Sequence, residues 1–421
     1  MKIKTLTSRM IFDSRGYPTV EVDCQLEDGS FGRASVPSGA STGIHEAVEL
    51  RDGGDKYNGM GVEKALKNVH NLIAKEVEGR NFATQREFDQ ALVLLDGTHN
   101  KSNLGANAIL ASSLSYAKAC ATSKNIALYR HLREEYVWSK PMSIPVPLIN
   151  VLNGGRHASS STDVQEWMIV PVNDDTFEQA FEKCTKVFYL LRETMKKRGS
   201  SAVGDEGGFP LSGVTSNKEA LDVLVSVIKE SGMEPGKDIA FALDVAASEF
   251  FKDEAYHLTC EKKSLNEEEM IEWLIDLSKK YPIISIEDGL SEESWDTWRR
   301  LTEKLGDTLQ LVGDDLFVTN TKYIQKGGEL GVGNAVLIKL NQVGTLTETV
   351  DAIELAHKFG MRTIISHRSG ETEDVTIAHL AVASGCGQIK TGSLSRSERL
   401  AKYNELMRIA EDGIAYASKV A

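Results

Sequence analysis

PIISIED (residues 282–288), LQLVGDD (309–315) and AVLIKLN (335–341) are three short apolar runs, each closing on charged or polar side chains. The same form recurs at IAFALD (239–244), TIISHRS (363–369) and GQIKTG (387–392). Their reactive side chains stand at 244, 287, 314, 339, 367 and 390, at intervals of 43, 27, 25, 28 and 23 residues. Apart from the first, each interval holds one strand, one helix and their loops. Segments 267–280 (EEEMIEWLIDLSKK) and 345–359 carry apolar residues at helical spacing. Repeated βα units of this size form a closed barrel or an open doubly wound sheet. The barrel is favoured, because polar groups end at least six successive strands and only a ring gathers all those ends at one mouth. An open sheet converges only the strands beside its switch point.

The first third of the chain has another rhythm. Residues 3–37 alternate, with Val20, Val22, Cys24 and Leu26 on one face, and the turn-rich DSRG and EDGS separate the runs. This predicts an antiparallel meander. Helical patterns follow at 62–77, 85–95 and 105–123, and the three prolines of WSKPMSIPVP (138–147) end them. Strands first and helices after predict a small α+β domain over residues 1–136, ahead of a β/α barrel over 137–421.

The balance of residues is that of an ordinary globular protein: 421 residues, 41% hydrophobic and 26% charged. Lys and Arg number 48 against 61 Asp and Glu, a net charge of −13. With no basic run, the chain is a poor partner for nucleic acid or an anionic membrane. Five scattered cysteines, never CxxC, predict reduced thiols and a cytoplasmic protein. Arg9, Asp13 and Arg15 interrupt any leader-like start, and no stretch approaches the ~20 apolar residues of a membrane span. No GxGxxG follows a strand, GGELGVG (327–333) has the wrong order, and GxxxxGK[ST] does not occur.

Asp244, Glu287 and Asp314 end apolar runs. Singly, each could be a helix cap or a solvated loop residue. Together in one mouth their repulsion calls for a cation, and oxygen-only ligands suit Mg²⁺ better than zinc. Lys339, His367, Arg368 and Lys390 end the following runs. They could be salt-bridge partners of those acids. Beside a metal, however, neighbouring positive charge would depress a lysine from ~10.4 toward neutrality and leave a free amine as base. Arg368 and the hydroxyl of Ser369 suit a phosphate. A strand-like run precedes GDEGG (204–208), which alone reads as a glycine-rich turn. NGGRHA (153–158) and Gln165-Glu166 read as loop, and PSGASTG (37–43) as a lid or a plain surface loop.

Taken together, SGASTG, LDGT, NGG, GDEGGF, SIEDGL, QLVGDDLFVTN, SHRSGETED and GQIKTGS fall in an order that resembles the enolase family, from about residue 3 to about residue 409. The resemblance implies a Mg²⁺-dependent lyase that reversibly dehydrates 2-phosphoglycerate to phosphoenolpyruvate. It implies Lys339 as the base at C2 and Glu206 as the acid at the departing hydroxyl. Asp244, Glu287 and Asp314 would hold a first Mg²⁺, and Ser41 would reach a second arriving with substrate. Arg368 and Ser369 would bind the phosphate and Lys390 the carboxylate. Gln165 would contact substrate, with His157, Glu166 and His367 lining the pocket. A homodimer or a ring of dimers is implied as well. Tyr17 departs from the family's usual Asn, Phe209 runs straight into Pro210 one residue early, and RIAEDGIAYASKVA replaces an acidic helix. An enolase-like protein retained for binding, or a relative acting on another acid, are the alternatives.

Overall fold

The computed structural model describes residues 1–421 apart from 40–42, 44, 156–160, 201, 419 and 421. Ser41 and His157 therefore lie outside the described residues, as do residues 40–42 of the 37–43 loop.

The first domain opens with the expected meander: β1 (Ile3–Phe12), β2 (Pro18–Leu26) and β3 (Phe31–Ser35), antiparallel and in that order. Asp13 shapes the first turn, its Oδ1 accepting the N–H groups of Arg15 at 2.8 Å and Tyr17 at 2.9 Å. Val20, Val22, Cys24 and Leu26 are all buried, as the alternation predicts. They are covered by the helix Ala106–Ser123, whose run of Ala and Ser allows close approach. Gly32 marks the tightest point, where a Cβ would sit 2.2 Å from the carbonyl oxygen of Ser115. The helix expected over 62–77 is interrupted: Glu63–Asn68 and Ala74–Val77 are α, but Val69–Ile73 is a wider π turn.

Eight strands close the barrel: β4 (Val146–Asn153), β5 (Glu166–Pro171), β6 (Ile239–Asp244), β7 (Ile283–Glu287), β8 (Gln310–Gly313), β9 (Ala335–Ile338), β10 (Arg362–Ser366) and β11 (Gln388–Lys390). Neighbours pair in chain order, and β11 pairs with β4 to seal the ring. The closed alternative is thus the observed one. The repeat is not uniform, however. β4 and β5 stand outside the six runs read from the sequence, and β5 is antiparallel to both neighbours. The link 154–165 leaves no room for a helix and its two loops, so the chain returns as a hairpin. As a result the first residue of β5, Glu166, lies level with Asp244 and Asn153, the last residues of the strands beside it. Gln165-Glu166 is therefore a strand start at the mouth, not simply a loop.

The long interval from 244 to 287 is also explained. Three short antiparallel strands, Phe251–Lys252, Ala255–Leu258 and Lys263–Leu265, precede the helix Glu267–Lys280. That helix has the bounds read from sequence. Asn266 accepts from the N–H of Glu269 at 3.0 Å and Glu269 returns the bond at 2.8 Å, a reciprocal cap that fixes its first turn. Inside the barrel, Gln310 and Gln388 exchange two amide bonds of 2.8 Å, so these buried polar groups are satisfied by each other. The divergent C-terminal segment runs beside Ile144, and Val420 packs with Val146, Leu148, Met168, Val170 and Ala242.

Asp374, beyond β10, ties the two domains. Its carboxylate accepts from Lys118 at 2.5 Å, from the N–H of Ser35 at 3.1 Å and from the N–H of Thr376 at 2.8 Å. Burial opposes its ionisation, but Lys118 and these donors prevail and hold it down at about 2. A carboxylate lowered on folding stabilises above its ordinary value near 3.8 and loses that contribution as pH falls toward 2. Asp374→Asn is expected to cost on the order of 2 kcal/mol at pH 7 and to flatten the acid limb below pH 4. Denaturant titrations of both proteins at pH 7 and pH 3 check this, and equal losses at both pH values would contradict it.

Candidate active site

The mouth is built from strand ends. Asp244 and Glu287 are the last residues of β6 and β7, and Lys390 is the last residue of β11. Asp314 follows β8, Lys339 follows β9, and His367, Arg368 and Ser369 follow β10. Glu166 and Glu206 join them, and apart from part of Lys339 every one of these side chains is buried.

Lys390 is the hub of one half. Its Nζ lies 2.9 Å from Glu287 Oε1, 3.1 Å from Asp244 Oδ2 and 3.3 Å from Glu166 Oε1. Burial would pull this lysine down, but Asp244, Glu166 and Glu287 hold it well above the usual value. The acids are under the opposite stress. Burial, then the charge of Glu206, pushes Glu166 well up, and burial, then Asp244, does the same to Glu287. Gln165 Nε2 donates to Asp244 Oδ2 at 3.2 Å.

Asp314 and Lys339 form the other half, joined by a short Nζ–Oδ2 ion pair. Burial works against the charge on Asp314, yet Lys339 keeps it below its ordinary value. Burial works against the charge on Lys339 too, yet Asp314 raises it. Among the protein's own groups, then, Lys339 is an ammonium. The neutral amine expected from the sequence requires something that offsets the charge of Asp314. Gln342 completes this half: its Nε2 donates to Asp314 Oδ1 at 2.9 Å, and its Oε1 accepts from Thr319 at 2.6 Å.

Arg368 is held from the first domain. It donates to Glu46 Oε2 at 2.8 Å and Oε1 at 3.2 Å, and to Asn341 Oδ1 at 2.8 Å. A cleft of about 490 Å³ lined by His45, Glu46, Lys101, Thr319 and Gln342 opens beside these groups. Tyr17, the departure near the domain junction, lies under the guanidinium of Arg15 at 5.5 Å, and Arg15 in turn donates to the carbonyl of Ser38 at 3.2 Å.

The described residues directly before Gly204, at 198–200 and 202–203, form no strand. Instead 204–208 is a turn, and the short strand is Phe209–Pro210, paired in parallel with Leu152 and Asn153 of β4. The early proline therefore seats beside the barrel wall. Glu206 still reaches the mouth, where Asn150 Nδ2 donates to its Oε2 at 3.1 Å and His367 Nε2 lies 3.5 Å away.

Three carboxylates whose oxygens lie within 4.8 Å of one another are Asp288, Asp314 and Asp315, which is not the set read from sequence. Both oxygens of Asp288 are engaged by the N–H groups of Asp314 at 3.0 Å and Asp315 at 2.9 Å. Asp288 is thus the acceptor that holds the turn presenting Asp314. Asp244, Glu287 and Asp314 do not form such a group among the described residues: Asp244 and Glu287 face Lys390, and Asp314 faces Lys339. Glu166, Asp244, Glu287 and Asp314 face two lysines there, a set of oxygen donors that a further cation would suit.

Glu46, Asn150, Asp288, Asn341 and Gln342 escaped the sequence reading. Asn341 and Gln342 sit just past Lys339 on the helix Leu340–Val343, where position alone was a usable signal. Glu46 and Asn150 carry no local sign.

Fold and site together define a barrel protein of enzymatic type, with acids and lysines opposed in a buried mouth and a smaller domain set over it. Residues 3–132 match the family described as Enolase, N-terminal domain, and residues 141–420 match Enolase, C-terminal TIM barrel domain. The chain belongs to the enolase family, whose domains are those of a lyase-type enzyme. No helix among the described residues is long and apolar enough to cross a membrane.

The role given to Asp288 is open to test. Asp288→Ala deprives two N–H groups of their acceptor and is expected to lower unfolding stability by about 1–3 kcal/mol. An unchanged denaturant midpoint would show that Asp288 does not hold the turn.

Proposed function

We propose that the chain catalyses the Mg²⁺-dependent, reversible dehydration of 2-phospho-D-glycerate to phosphoenolpyruvate and water. The observation that carries this reading is the placement of Lys339 and Glu206. They enter one buried mouth from different strand ends, after β9 and before the segment pairing with β4. A base and an acid so separated can address opposite faces of one small substrate, as removal of a proton and a hydroxyl from adjacent carbons requires.

Lys339 takes the proton from C2, and Glu206 gives a proton to the C3 hydroxyl as it leaves. Arg368 and Ser369 bind the phosphate. Arg368 already holds a carboxylate, Glu46, through two bonds, the same fork geometry that suits phosphate. Lys390, deep among the acids, pairs with the substrate carboxylate, and Gln165, Glu166 and His367 shape the wall. His157 and Ser41 keep the roles the family resemblance implies. Asp244, Glu287 and Asp314 would hold the first Mg²⁺. A metal held there would supply positive charge beside the substrate carboxylate and would offset the Asp314 charge that otherwise keeps Lys339 protonated. A second Mg²⁺, the boundary between residues 136 and 137, a cytoplasmic location and assembly as a homodimer or ring of dimers belong to the same proposal.

Turnover of 2-phosphoglycerate by the purified protein is expected to vanish on chelation and return with Mg²⁺. Full turnover in the metal-stripped protein would end the metal reading. Lys339→Ala is expected to lower turnover by at least ~10²-fold and to stop exchange of the C2 proton with solvent, while substrate still binds. Exchange at the normal rate in that variant would remove Lys339 from the role of base.

A further inference from the structure

Arg399 has no part in the steps above, yet its guanidinium touches three pieces of the site. It stands on the helix Ser397–Ala410 and is fully buried. Nη1 donates to His367 Nδ1 at 2.5 Å and to the carbonyl of Arg368 at 2.6 Å. Nη2 donates to the carbonyls of Ser369 at 2.6 Å and Asp205 at 3.2 Å, and to Ser14 Oγ at 3.3 Å. Glu398 Oε1 lies 3.4 Å from Nε. Burying such a group is costly unless its donors are met. Room is made by Gly392, at φ +82°, where a Cβ would fall 2.8 Å from Arg399 Cδ and 2.9 Å from the carbonyl of Glu206.

The contact with His367 has a chemical consequence. A guanidinium offers donors only, so Nδ1 of His367 must accept. In the neutral ring the hydrogen is then on Nε2, the atom 3.5 Å from Glu206 Oε2. The ring is kept neutral: burial, which Glu206 opposes and the charge of Arg399 reinforces, pushes His367 down to about 4. Asn150 donates to the same Oε2 at 3.1 Å. Nε2–H of His367 and Nδ2–H of Asn150 thus both face Oε2 of Glu206.

We infer that Arg399 is a positioning residue for the proton donor, locking His367 in the Nε2–H tautomer that turns a ring N–H toward Glu206. The inference rests on the proposed role of Glu206 as the acid. A plain strut between helix and loops would be served by the carbonyl contacts alone and would leave the tautomer free.

The test is ¹⁵N NMR of histidine-labelled protein at pH 7, with the His367 ring signals assigned from a His367→Gln spectrum. The expected result is a protonated Nε2 and a bare Nδ1, and a protonated Nδ1 in the unaltered protein overturns the inference. This measurement stands even if a buried variant fails to fold. Arg399→Gln is expected to give a mixture of tautomers and a kcat lower by about tenfold or more. Arg399→Lys, again a pure donor, is expected to restore the Nε2–H form and part of kcat. A folded Arg399→Gln protein with mixed tautomers and full kcat overturns the positioning role. Undiminished turnover by Glu206→Gln would instead overturn the role of the acid while the tautomer result stands, so the two failures are distinguishable.

Discussion

Like charges forced together in a dry place are the constraint around which this molecule is arranged. Glu166, Asp244 and Glu287 share one lysine, Asp314 takes another, and all four acids are buried. Carboxylates cannot be left ionised in such surroundings without cations close by. Strand ends on a ring supply the means, because they bring side chains from successive strands to a common centre. The reversed strand β5 adds an acid that a uniform repeat would have pointed to the far end of the barrel.

The first domain is part of the same arrangement. Glu46 engages Arg368 and also accepts from Gln342 at 3.3 Å, and Gln342 in turn holds Asp314. A chain of hydrogen bonds thus runs from Arg368 through Glu46 of the first domain and Gln342 to the Asp314–Lys339 pair. Asp374 and Lys118 tie the domains farther out. The register of the two domains therefore bears directly on the charge balance at the mouth, since a shift of Glu46 would release Arg368 and loosen Gln342 together.

Much of this was legible in the sequence, for physical reasons. The strand 239–244 and the helix 267–280 have the bounds read from pattern, because a buried parallel strand is apolar throughout and the helix carries its own cap in Asn266 and Glu269. The ring of acids and cations was visible because strand ends mark it at regular spacing. The direction of β5 was not, since alternation and hydrophobicity say nothing of strand polarity and only the short 154–165 link hints at it. The 204–210 segment misled, because its two-residue strand follows the acid rather than preceding it. Glu46 and Asn150 act across the fold from positions with no local pattern, and Arg399 reads as one more charged residue on an amphipathic helix.

The structure shows Lys339 and Lys390 as the salt-bridge partners of the acids, and energetics bears on whether such pairs are there for stability. A buried ion pair is weak evidence for stability, because desolvation offsets most of the attraction and a well-packed apolar replacement is often as stable or more so. Here burial pushes Glu166 and Glu287 well above the ordinary carboxylate range, so the acids are held at a cost to the fold. Elsewhere in the barrel the interior is filled by Val312, Ala335, Leu337 and Ile364, which shows that apolar packing suits this scaffold. A mouth kept charged against that background costs stability that apolar packing would have supplied, which is what a site built for the proposed chemistry leads one to expect.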